Sequence, residues 1–298
     1  MARRLYYCDH HEIPLPPGHK FPIRKYPLVR ERLASSGLFE FQPAPFAALD
    51  TIALAHHPTY IQDFVEGKLP PPAIRRIGFP WSDGFVRRTL ASVGGTLSAT
   101  ADAFQSGWSG NLAGGTHHAF YAEGSGFCVF NDIAVAILWL RREGMARRVA
   151  VVDLDVHQGD GTAALFERDD DVLTLSMHAR NNFPFRKQRG KVDVELPDGT
   201  ADEEYLEALR RVLPAVRDFR PDAVFYQSGV DALATDRLGR LHLTARGLRE
   251  RDRVVMESVR AWACPFVITL GGGYSDPIEV TADAHASTYL TAAGIFSG

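Results

Sequence analysis

Cysteine is scarce in this 298-residue chain: Cys8, Cys128 and Cys264 lie far apart and form no C-x-x-C pair. That spacing excludes a disulfide framework and a thiolate zinc site, and it suits a reducing compartment. No apolar run approaches the ~20 residues needed to cross a bilayer. The amino-terminal M-A-R-R-L-Y-Y-C-D-H has no apolar signal region. There is no basic surplus either. Lys and Arg number 33 against 36 Asp and Glu, a net charge of −3, which argues against direct nucleic-acid binding. Repeats, low-complexity tracts and linkers are absent, so one domain over residues 1–298 is expected. A cytoplasmic protein that touches neither membrane nor nucleic acid is the starting expectation; oligomeric state stays open.

What is present is concentrated in one stretch. Val149–Val152 is an apolar, β-branched run of the kind buried on both faces of a sheet. Directly after it come Asp153, Asp155, His157 and Asp160, with Gly159 and Gly161 among them. If the segment stays extended, period two puts Asp153, Asp155 and His157 on one face. Two carboxylates and an imidazole are costly to bury unpaired, and a divalent cation would compensate them. Zinc accepts Asp oxygen and His nitrogen, and catalytic zinc keeps a position open.

Elsewhere the chain alternates between strand and helix patterns. Strands are expected at Leu5–Cys8, Asn111–Ala113, Val172–Met177, Asp222–Tyr226 and Phe266–Leu270. Helices are expected at Tyr26–Ser35, Thr89–Phe104, Ile133–Arg142 (capped by Asn131-Asp132), Thr162–Glu167, Glu203–Val216, Thr244–Ala261 and Ala282–Leu290. Proline-rich Gly67–Phe79 reads as loop, and Arg75-Arg76 and Arg186, Lys187, Arg189 read as solvated. This order predicts an α/β fold, three layers α/β/α around a mostly parallel sheet. Four strands end in G-G-T-H-H, D-L-D-V-H-Q-G-D-G, Q-S-G-V-D and L-G-G-G-Y. Ligands of open α/β sheets bind outside such carboxyl ends, so these segments should meet at one site. There Asp155, His157 and Asp231 could hold a metal with water completing the shell. His117 and His118 could serve as base, acid and electrostatic support, with Asp153 and Asp160 available to fix their rings. Tyr274 could give its hydroxyl to a developing oxyanion.

The motifs G-G-T-H-H-A, S-G-F-C-V-F-N-D, D-L-D-V-H-Q-G-D-G, S-G-V-D-A-L, D-R-L-G and G-G-G-Y occur in that order. Together they resemble the zinc-dependent histone deacetylase superfamily, which has the arginase/deacetylase fold. The resemblance implies zinc on Asp155, His157 and Asp231, and a catalytic pair in which Asp153 backs His117 and Asp160 backs His118. It makes His118 the main general base and Tyr274 the group polarising the carbonyl. It lines an acyl-lysine tunnel with Phe127, Phe183, Gly126 and Gly272. It also implies a structural potassium ion on Asp153, Asp155, Ser176 and the carbonyls of His157 and Met177. Gln158, H-K-F-P-I-R-K-Y and G-T-A-D-E-E-Y-L are similar to class IV deacetylases and their bacterial relatives. The implied substrate is an acylated lysine of a peptide or protein, or a small acylated amine. Competing readings are an acetylpolyamine amidohydrolase, a two-manganese arginase-like ureohydrolase and a silent acyl-lysine binding module. The ureohydrolase would need an Asp where Gly159 stands.

Overall fold

The structure, a computed structural model, describes residues 3–296. The first half of the chain runs β1 (Arg3–Tyr7), α1 (Lys25–Ala34), β2 (Phe39–Pro43), α2 (Leu49–Ile52), α3 (Pro58–Val65), α4 (Pro71–Ile77), α5 (Asp83–Ser106) and β3 (Trp108–Asn111). It continues with α6 (Asp132–Arg142), β4 (Val149–Asp153), α7 (Asp160–Leu165), β5 (Val172–Ala179) and β6 (Val192–Leu196). The last third is α8 (Asp202–Phe219), β7 (Ala223–Gln227), α9 (Ala245–Trp262), β8 (Phe266–Thr269) and α10 (Ile278–Ile295). The strands form one sheet in the order β2-β1-β3-β8-β7-β4-β5-β6, and every pairing is parallel.

Side-chain alternation explains the layers. Val149 and Val151 of β4, with Ala223 and Phe225 of β7, enter one core, together with residues of α3, α5 and α6. Ala150, Val152, Val224 and Tyr226 enter the other, against α8, α9 and α10. A strand that must feed two cores has no polar face to spare, hence the unbroken apolar runs. Helix α5 lies close to its neighbours because it is rich in small residues. A Cβ at Gly94 would sit 1.9 Å from the Pro45 carbonyl oxygen. The caps at Asn131 and Thr244 form as expected, accepting from the Ala134 and Gly247 amides at 3.0 Å each.

Two kinds of element escape the sequence reading. Gly67–Phe79 is not all loop, since α4 occupies its middle. Its prolines stand at the helix start, where a missing N–H costs nothing, so they open the helix rather than forbid it. Strands β2 and β6 are the two edges of the sheet. Both are short, charged and half-exposed, F-E-F-Q-P and V-D-V-E-L, as edges that avoid further pairing tend to be. The strand expected at Asn111–Ala113 lies earlier, at Trp108–Asn111.

Strands β3, β8, β7 and β4 are consecutive in the sheet. Their four polar tails therefore emerge side by side at its centre, where the chain leaves β3 and crosses to β4.

Candidate active site

Strand β4 ends at Asp153, so Asp155 and His157 do not converge by strand periodicity. The segment turns instead through two side-chain-to-backbone bonds. Asp153 Oδ1 accepts from the Asp155 amide and Asp155 Oδ1 from the His157 amide, both at 3.1 Å. Leu154 and Val156 point into the apolar core between them. From β7, Asp231 reaches the same spot and is locked by the Val156 amide on its Oδ1 at 2.9 Å. The Gly272 amide, from the β8 tail, donates to Asp155 Oδ2 at 2.8 Å.

The result is a buried Asp155–His157–Asp231 cluster with one ligand atom from each residue within 4.8 Å of the others. His157 Nδ1 faces Asp155 Oδ1 at 3.0 Å and Asp231 Oδ2 at 3.3 Å. Asp231 Oδ2 is buried and accepts no hydrogen bond. A Cβ at position 272 would lie 1.9 Å from that oxygen, so only glycine leaves the space beside it free. Burial and then Asp155 push the Asp231 carboxyl up to about 7. Burial works against a charged His157, but Asp155 and Asp231 outweigh it and lift the imidazole to about 10. Negative charge is thus in excess here. Two carboxylate oxygens, one of them the orphaned Asp231 Oδ2, and one imidazole nitrogen are donors that fit zinc.

Two histidine–carboxylate pairs stand beside the cluster. His117 Nδ1 meets Asp153 Oδ2 and His118 Nδ1 meets Asp160 Oδ1, each at 2.6 Å. Both rings thereby turn Nε2 away from their carboxylates. His117 Nε2 lies 3.9 Å from Asp155 Oδ1. From the protein charges alone, burial opposes protonation of His117, but Asp153 and Asp155 prevail and raise it to about 9. Burial and then the charge on His117 press His118 down to about 4. Adjacent imidazoles whose centroids are 4.1 Å apart cannot both hold a proton cheaply.

These groups lie at the base of a cavity of about 560 Å³. Phe183 meets the His118 ring edge-on at 4.9 Å. Phe127 lies opposite, 6.2 Å from the Tyr274 ring, with a backbone φ of 67°. That strained conformation is held by the end of α4, whose Ile77 carbonyl accepts from the Phe127 amide at 2.8 Å. Gly126 is close-packed, since a Cβ there would fall 2.7 Å from the His118 ring. Ser176 pairs with Asp153 across the β4–β5 ladder, and Met177 follows it, buried. The structure gathers His117, His118, Gly126, Phe127, Asp155, His157, Phe183, Asp231, Gly272 and Tyr274 around one cavity, with Asp153 and Asp160 behind the two histidines; the Ser176 hydroxyl meets His178 Nδ1 at 2.9 Å.

Residues 19–291 match the histone deacetylase domain family. The chain belongs to the histone deacetylase family. An uncharacterized protein of Picosynechococcus is 42% identical over 302 residues, spanning 99% of this chain and all of that protein. The acetoin utilization protein AcuC of Bacillus subtilis is 34% identical over 85% of this chain and 71% of its own length. Among solved structures, the acetylpolyamine aminohydrolase of Burkholderia pseudomallei superposes with a TM-score of 0.84, covering 99% of each chain at 21% identity. The fold is thus the arginase/deacetylase one, and the chain is a deacetylase-family amidohydrolase.

Three residues packed about this site make contacts that the sequence did not foretell. Lys25, one residue before the helix expected at Tyr26–Ser35, is fully buried and donates to the Gly271 carbonyl at 2.9 Å. Its ammonium lies 5.4 Å from the Tyr274 ring centroid, and burial lowers it to about 8 despite Asp231 and Asp155. Asp236, in D-R-L-G, accepts from the Leu238, Gly239 and Tyr274 amides at 2.8, 2.9 and 2.6 Å, tying that turn to Tyr274. Gln158 is buried. It donates to the Gln188 carbonyl at 2.7 Å and to Asp193 at 2.9 Å, and it accepts from the Gln188 amide at 2.8 Å. It thereby fastens the Phe183 loop to the segment carrying His157.

Replacing this residue, Gln158→Leu, keeps the bulk and strands the Gln188 backbone groups. A buried group left unpaired costs roughly 1–3 kcal/mol, and the loss should fall on the loop. Trypsin should cut at Arg186, Lys187 or Arg189 faster in the variant than in the parent. Equal cutting rates would show that the loop holds without Gln158.

Among the described residues, no helix is long and apolar enough to cross a membrane.

Proposed function

We propose that the chain removes acyl groups, acetyl or longer, from N-acylated lysine side chains or related acylated amines. Asp155, His157 and Asp231 hold zinc in this reading. What supports it is the buried, partnerless Asp231 Oδ2 facing His157 beside two His–Asp pairs. Zinc, when bound, lowers the pKa of a water molecule and polarises a carbonyl. The chain's own groups do the rest. Phe127 and Phe183 hold the acyl-lysine stem between their rings and keep bulk water out. His118, its Nδ1 committed to Asp160, takes a proton at Nε2 from the attacking water and returns it to the departing amine. His117, on Asp153, supports the charge that develops. The Tyr274 hydroxyl donates to the carbonyl oxygen as it gains charge. A potassium ion on Asp153, Asp155, Ser176 and the carbonyls of His157 and Met177 would brace the turn. All of these donors are oxygen, the ligand type preferred by hard cations.

Purified protein should carry about one zinc per chain, since three protein ligands hold a catalytic zinc. Asp231→Ala should lose most of it, because two ligands rarely suffice. Elemental analysis settles both points, and two manganese ions per chain would overturn the reading. Turnover of a fluorogenic acetyl-lysine substrate, abolished by a chelator, separates the enzyme from a silent binding module. An acetylated polyamine run alongside tests the competing small-amine substrate.

A further inference from the structure

The cavity mouth is basic although the chain carries a net charge of −3. Arg76 and Arg240 line it directly. Arg75 and Arg186 are exposed next to lining residues, and neither has an ion-pair partner among the described residues. The carboxylates nearby are already engaged. Glu123 pairs with Arg76 at 3.0 Å, Asp198 with Arg240 at 3.1 Å and Asp276 with Arg237 at 4.0 Å. Asp155 and Asp231 are the only acidic residues in the cavity wall, and both sit at its base. The segment Arg180–Lys191, which supplies the Phe183 wall, contains no acidic residue.

A like-charged mouth repels a cationic substrate and attracts an anionic one. The lip is also apolar on one side, because Phe185 is 86% exposed. A large apolar ring left in water at a binding mouth marks a contact surface. Sequence alone assigned Arg75-Arg76 and the Arg186–Arg189 run to a solvated face. Arg76 lines the opening and Arg186 directly follows Phe185, which also lines it, so these runs have a use.

We infer that this mouth docks an acidic peptide, so that the preferred substrate is an acyl-lysine flanked by Asp or Glu with an apolar residue against Phe185. The inference rests on the amide-hydrolase reading above and narrows its substrate. It disfavours both lysine-rich tails and acetylated polyamines, whose cationic ends would meet the positive charge that Arg75 and Arg186 leave unpaired.

The test uses the zinc-loaded full chain and three labelled peptides of equal length, each with one acetyl-lysine flanked by Glu, Ala or Lys. Binding is read by fluorescence anisotropy and turnover by product formation. Glu flanks should be favoured over Lys flanks by on the order of tenfold in both readouts. The gap should close near 1 M salt, where the Debye length is about 3 Å. The double variant Arg75→Glu with Arg186→Glu should erase or invert the order. Turnover of all three peptides without charge preference would overturn the docking surface and leave amide hydrolysis standing. Glu-selective binding without turnover of any peptide would do the reverse. No preference in either readout, or preference for Lys flanks, sinks the inference.

Discussion

The His118→Ala variant is expected to lose turnover by a factor on the order of 10²–10⁴, the usual contribution of a positioned general acid–base, with zinc still bound. His117→Ala should keep measurable activity. The two residues are chemically identical neighbours, so their surroundings must divide the work. His118 forms the tunnel wall with Phe183, and its partner Asp160 opens α7, beyond the ligand segment. His117 leans on Asp153 and abuts Asp155, the proposed seats of both cations. With protein charges alone, those carboxylates raise His117 and its charge depresses His118. Cations on Asp153 and Asp155 would cancel that field and oppose a second positive charge on His117, leaving His118 free to take the proton. The wild-type pH profile should be bell-shaped. At low pH His118 Nε2 is already protonated and cannot act as base; at high pH no group retains the proton that the amine must receive. Equal residual activity in the two variants, at equal zinc content, would refute the division of roles.

How far the sequence reads out this site depends on whether a residue's neighbours are near in the chain. The central strands are legible where burial on both faces leaves apolar runs such as Val149–Val152 and Ala223–Tyr226. The proposed metal triad is legible because charge directly after such a run has nowhere inexpensive to go. The extended backbone that would align it, however, stops at Asp153. An extended segment would have aligned Asp153, Asp155 and His157 by pleat, whereas the chain turns on its own aspartate side chains. Lys25 carries no local mark of burial. Its carbonyl acceptor is 246 residues away, and its aromatic surroundings include Tyr274 from the far end of the chain. Arg251 is similar. It lies in α9, yet it is fully buried and donates to the carbonyls of Leu154, Ser228 and Gly229, which flank the proposed metal-binding carboxylates. Such groups satisfy backbone atoms that only the tertiary fold exposes, and no spacing rule anticipates them.

The Tyr274→Phe variant should lose on the order of 10²–10³ in turnover, the cost of removing one oxyanion donor, while its zinc content and stability stay near those of the parent. The backbone of this residue is fixed independently of the hydroxyl. Its amide donates to Asp236 at 2.6 Å, and its carbonyl accepts from Arg237 at 3.3 Å. The ring is held by Phe21 and Phe127, each with its centroid 6.2 Å away, and by the Lys25 ammonium. Phenylalanine preserves all of these contacts. Burial holds the phenol well above its ordinary value of 10, with Tyr26 and Asp231 adding to the shift, so at working pH it keeps its proton and has one to donate. A bond that tightens as the carbonyl oxygen gains charge contributes little to substrate binding. The loss should therefore fall on kcat and kcat/KM together, with KM nearly unchanged. Steady-state kinetics on one acetyl-lysine substrate, beside a melting curve, is the measurement. If KM rises while kcat holds, the hydroxyl only helps to bind the substrate. If nothing changes, Tyr274 is a wall residue and the oxyanion must find its donor elsewhere.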